Sequence, residues 1–104
     1  MWAMLQSRLA GIMQRELETQ SLQLSDYCTQ QIQQLIGNGV NRMRTSKVLD
    51  HAGHVMQAER NLRSLVKYFS DYSRTAGSYP HLSTSQFDAA LSSCPTLWPY
   101  CSSG

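Results

Sequence analysis

The stretch SKVLDHAGHVMQAERNLRSLVKYFSDYSR, residues 46 to 74, decides how this chain is read. Its apolar residues return every seven positions. Val48, Val55, Leu62 and Phe69 hold one place in the repeat, and Ala52, Glu59, Val66 and Ser73 hold the place four residues later. Residues three and four apart share one face of an α-helix, and a beat of 3.5 rather than 3.6 keeps that face against a neighbouring helix, as in a coiled coil. The spacing predicts one long amphipathic helix over about 46–74, with Thr45 or Ser46 as its N-cap and Gly77 as its end. Val48, Ala52, Val55, Glu59, Leu62, Val66 and Phe69 form the seam on which it packs, against the N-terminal helix or a second copy of the chain. The second series is small or polar at three of its four places, which favours a closely packed hairpin or bundle over a simple two-stranded coiled coil.

Working outward, Leu5, Leu9, Ile12, Met13 and Leu17, then Leu24, Cys28, Ile32 and Leu35, also recur at helical spacing. They predict an N-terminal helix, or a kinked helix pair, over about 2–36. Its apolar face shifts by roughly a quarter-turn across residues 19–25, so a break is expected there, with Ser25 and Asp26 capping the restarted helix. Gly37-Asn38-Gly39 is expected to end it. Downstream, Ser78-Tyr79-Pro80-His81 reads as a turn, and Phe87, Ala90 and Leu91 share the face of a short helix over about 86–92. That helix is read as opened by a capping box of Ser85 with Asp88. Pro95 and Pro99 stop regular structure, and residues 102–104 read as a disordered tail. The sequence therefore predicts an all-α protein, a small helical hairpin or bundle, with residues 1–101 as a single helical domain.

A chain of 104 residues builds one modest core, so association into a homodimer is expected to add stability. Apolar residues make up 41% and charged residues 15%. The net charge of +2 is too small to imply a polyanion partner by itself, but it is unevenly spread. Residues 42–74 hold seven cations against Asp50, Glu59 and Asp71. Cys28, Cys94 and Cys101 are an odd number, and Arg8 interrupts the apolar start of the chain. A reducing cytoplasm is expected, with no secretory signal and no membrane span.

Arg60, Arg63, Lys67 and Arg74 fall at spacings of three, four and seven, within an arc of about 60° beside the seam and over about 21 Å. Such a row can steer an acidic protein face or track phosphates, or its aliphatic stems can simply cover the seam edge. Leu97, Trp98 and Tyr100, stiffened by two prolines, supply the kind of aromatic anchor that dominates interface energies; they can equally close the end of the bundle. Arg42, Arg44 and Lys47, at the start of the long helix, give a nucleic-acid alternative. A helix-turn-helix needs a turn of three or four residues, however, and the connection here is nearer eight. Glu59 lies on the seam and needs a cation, for which Arg8, Arg15 or a second chain is the candidate. His51 and His54 with Cys94 and Cys101 lack the close cysteine pairs of structural zinc, so no metal and no cofactor are expected. Cys94 and Cys101 can be free, bridged or metal-bound.

No nucleophile elbow, phosphate-binding glycine loop or metalloprotease helix motif is present. The sequence therefore points to a non-enzymatic protein-binding adaptor, chaperone or inhibitor that occupies the surface of a partner protein. A small nucleic-acid-binding transcriptional regulator is the alternative. In length and composition the chain is like many small adaptors, secretion chaperones and regulators carried by mobile elements.

Overall fold

A computed structural model of the chain describes residues 2–46 and 51–94, without the side chain of residue 51. The described residues form four helices and a tiny sheet: α1 (Trp2–Gln20), β1 (Gln23–Leu24), α2 (Asp26–Thr45), α3 (His51–Thr75), β2 (His81–Leu82) and α4 (Thr84–Ser93). The protein is a small all-α bundle. At 1.5 Å per residue, the 25 residues of α3 span about 37 Å, most of the 43 Å long axis.

Both long uphill helices, α1 and α3, end in the same way. Ser21 adopts a left-handed φ of 55°, while its N–H donates to the Glu18 carbonyl and the Leu22 N–H to the Leu17 carbonyl. Gly77 adopts φ 72°, with its N–H on the Arg74 carbonyl and the Ser78 N–H on the Ser73 carbonyl. Each pair of bonds satisfies carbonyls that a helix end would otherwise leave open. The chain then forms a two-residue strand, a serine N-cap and a descending helix. Ser25 accepts from the Cys28 N–H, and Ser83 accepts from the Gln86 N–H while its own backbone N–H donates to the Gln86 side-chain oxygen. The two strands pair in parallel, Gln23 with His81 and Leu24 with Leu82. α1 and α3 thus run parallel to a common end, and α2 and α4 run back from it.

The core lies where the helical faces meet. Leu9 and Met13 of α1, Ile32 and Ile36 of α2, and Leu62, Leu65, Val66 and Phe69 of α3 are all essentially inaccessible. Each such large apolar side chain contributes about 1.5–3 kcal/mol. Phe87 of α4 stacks on Phe69, with ring centroids 4.8 Å apart. Ser73, a polar residue at a seam position, is buried and donates its hydroxyl to the His81 carbonyl, tying β2 to the end of α3.

The break near Ser25 and the turn at Ser78–His81, whose Tyr79–Pro80 peptide is cis, stand as the sequence predicts. Three boundaries do not. Gly37-Asn38-Gly39 does not end a helix: α2 continues to Thr45, because its apolar face runs on past the glycines through Ile36, Val40 and Met43, all buried in the core. A Cβ on Gly37 would sit 3.2 Å from the Gln6 side-chain nitrogen of α1, and Gly39 is buried. Thr45 and Ser46 do not open the long helix but close α2, their hydroxyls donating to the Asn41 and Met43 carbonyls. The described helix α3 begins at His51. The short helix is capped by Ser83 with Gln86, not by Ser85 with Asp88, and starts two residues earlier than predicted. The expectations for Lys47, Val48 and residues 95–104 lie outside the described residues.

Candidate partner-binding surface

The seam of α3 is used inside the chain. Leu62, Val66 and Phe69 are fully buried, Val55 is half-buried against the core, and α1 is the main helix packed on them. Ala52 is exposed, so the packed stretch starts one turn later than the heptad pattern implies. Val48 lies outside the described residues.

Glu59 sits at the edge of this packed face with 12% of its side chain exposed. The Arg8 guanidinium approaches its Oε1 to 2.9 Å, and Arg8 itself remains 66% exposed. Of the two arginines that the sequence offered as partners, Arg8 is the one used. The contact is a close approach of charges and not an aligned hydrogen bond, since that oxygen is buried with no hydrogen-bond partner among the described residues. A pair with one member in water contributes up to about 1 kcal/mol, but removing the arginine would strand the carboxylate.

Immediately outward of Glu59, Arg60, Arg63 and Lys67 are exposed, as the arc drawn from the sequence requires. Among the described residues none of these three makes an ion pair. Arg74 differs from them. Its guanidinium carbon lies 4.1 Å from the centroid of the Tyr79 ring, a cation–π contact, and the Tyr79 hydroxyl donates to the Gln20 carbonyl at the end of α1. Arg74 therefore belongs to the latch that joins the two uphill helices, while Arg60, Arg63 and Lys67 face water. Tyr79 was not singled out in the sequence, where nothing marks a contact spanning 59 residues. Nor were Met4 and Met56, which leave 76% and 59% of their surface in water.

The other candidates are more dispersed. Leu97, Trp98 and Tyr100 lie outside the described residues. Arg42 is partly buried, Arg44 donates to the Asn41 side chain at 2.7 Å, and Lys47 is outside the described residues. Since α2 runs unbroken through Gly37-Asn38-Gly39, the turn that a helix-turn-helix reading needs is absent there. Cys28 is a buried thiol that accepts from the Ser25 hydroxyl. His54 is half-buried, and Cys94 ends α4 as its C-cap. Among the described residues no three His, Cys, Asp or Glu side chains are grouped so as to hold a metal ion, and no helix is long and apolar enough to cross a membrane.

The α1–α2 face carries shallow hollows lined by Gln6, Ser7, Gln33, Gly37 and Asn38, uncharged groups with no acid or base to move a proton. Compared with protein-family models, with curated proteins and with solved structures, the chain has no match.

Proposed function

We propose that this is a non-enzymatic binding protein of the adaptor, chaperone or inhibitor kind, which acts by occupying the surface of an acidic partner protein. The observation that carries this reading is the division of α3. Its apolar seam is consumed within the chain, while Arg60, Arg63 and Lys67 stand exposed beside it with no ion pair among the described residues. Cations held in a row on a rigid helix raise the rate of encounter with a negatively charged surface and penalise wrong partners. Leu97, Trp98 and Tyr100 are assigned the role of apolar anchors. A buried free thiol at Cys28 suits a reducing compartment such as the cytoplasm. A homodimer is part of the proposal and is sought at a face other than the buried seam; light scattering on the isolated chain, of 11.7 kDa, reads it directly.

Affinity capture with chemical cross-linking and mass spectrometry tests the reading. The unmodified chain is expected to retain a protein partner, and Arg60→Glu, Arg63→Glu and Lys67→Glu together are expected to release it while far-ultraviolet circular dichroism stays unchanged. Capture of nucleic acid or a small molecule without protein, or undiminished capture by the reversed chain, would refute it.

A further inference from the structure

The two parallel helices α1 and α3 carry the same pattern on their outer faces. Met4, Arg8 and Arg15 on α1 repeat, at identical spacing, as Met56, Arg60 and Lys67 on α3, and all six are exposed. Between the cations stand Gly11 on one helix and Arg63 on the other, also exposed. The Arg8–Glu59 contact joins positions one residue out of step with this repeat, and Tyr79, just beyond α3, reaches Gln20 at the end of α1. The two strips therefore run side by side at nearly the same height, methionine level with methionine and Arg15 level with Lys67. Each covers about 16 Å along its helix.

Two further properties of this face bear on what covers it. Five cations, Arg8, Arg15, Arg60, Arg63 and Lys67, outnumber the carboxylates of Glu59, Glu18 and Asp71 on these outer faces, the last two at the far end of the strips, and this excess of positive charge would be relieved by opposite charge from outside. A Cβ on Gly11 would meet nothing within 4 Å. A glycine inside a helix costs about 0.5–1 kcal/mol relative to alanine, and here no neighbour among the described residues uses the space it leaves.

We infer that the α1–α3 face is the docking site for an acidic amphipathic helix of a partner protein, laid along the two strips with carboxylates towards Arg15, Arg60, Arg63 and Lys67. Its apolar residues lie on Met4 and Met56, and its backbone passes closest at Gly11. This rests on the reading above that the ligand is a protein. Flexible, polarisable methionine side chains suit an apolar helix face and offer a phosphate backbone nothing. This feature favours a peptide over nucleic acid.

The test measures fluorescence anisotropy of three labelled probes with the full chain: an acidic Glu/Leu/Ala amphipathic peptide of about 18 residues, roughly 27 Å of helix, its Glu-to-Gln analogue, and a short DNA duplex. The acidic peptide is expected to bind, weakening with salt, with the neutral analogue and the duplex at least roughly tenfold weaker. Gly11→Glu places a carboxylate in open space without touching the core, and it is expected to weaken the acidic peptide at least roughly tenfold, as is Arg15→Glu with Lys67→Glu. No binding of the acidic peptide, equal binding of its neutral analogue, or undiminished binding to Gly11→Glu overturns the inference. The same variants in the cross-linking capture separate it from the broader reading: a protein partner still retained by Gly11→Glu removes the docking site from this face and leaves protein binding standing, whereas duplex binding without peptide binding refutes both.

Discussion

Substituting Arg8 by Met should cost more than substituting Glu59 by Gln, although the two residues form one ion pair. Met keeps much of the aliphatic stem and a comparable helix propensity, as Gln does for Glu, so each change removes charge with little else. With Arg8 66% exposed, the attraction itself is worth up to about 1 kcal/mol. Glu59, at 12% exposure, has an oxygen with no hydrogen-bond partner among the described residues, so Arg8→Met leaves a largely desolvated carboxylate uncompensated, a penalty of about 1–3 kcal/mol. Glu59→Gln removes the charge that needs compensation and leaves Arg8 to water, so a change within about 0.5 kcal/mol is expected. Urea denaturation followed by circular dichroism should give a loss of about 1–2 kcal/mol for Arg8→Met, or a fall in Tm of several degrees, and the double variant should recover most of it. Equal losses from both single changes, or a double variant whose loss is the sum of the two, would show that Glu59 does not depend on Arg8.

Three other changes report on the frame. Ser21→Gly relieves a side chain held at φ 55° and should raise stability by up to about 1 kcal/mol, read as a higher urea midpoint at unchanged slope. Phe87→Ala removes a fully buried ring stacked on Phe69 and should cost about 3–5 kcal/mol, with amide exchange in α4 rising before that in α1. Tyr79→Phe leaves the ring under Arg74 but loses the bond to the Gln20 carbonyl; thermal melts should show a loss of about 1 kcal/mol, whereas a neutral result would mean that water replaces the hydroxyl at no cost.

Features set by local chemistry were legible in the sequence. A left-handed glycine closes α3 at Gly77, a serine restarts the chain at Ser25, and a carboxylate on an apolar seam demands a cation, which Arg8 supplies. Features set by contact between distant segments were not. Gly37-Asn38-Gly39 carries the local signature of a helix end, yet Ile36, Val40 and Met43 keep the helical spacing across it, and burial of that face against the rest of the core decides between the two signals. The cap of α4 is an exception that is legible locally: Ser83 with Gln86 three residues on has the S-x-x-Q form of a capping box, a closer match than Ser85 with Asp88. The matching strips that begin at Met4 and Met56 are present in the sequence at identical spacing, yet the match means little until α1 and α3 are known to run parallel.

The parallel pairing of Gln23–Leu24 with His81–Leu82 also has a topological consequence. Each half of the molecule is a complete ascending helix, strand and descending helix, and the halves are stitched by backbone bonds at one pole while the chain itself joins them at the opposite pole. Leu9 and Met13 of α1 are buried, and α1 packs more extensively on α3 of the second half than on α2 of its own, so neither half should persist in isolation. Severed between residues 46 and 51, the two fragments retain every paired strand and buried face among the described residues, and they are expected to recombine when mixed, as a split reporter does. The covalent link between them would then serve chiefly to set their local concentration.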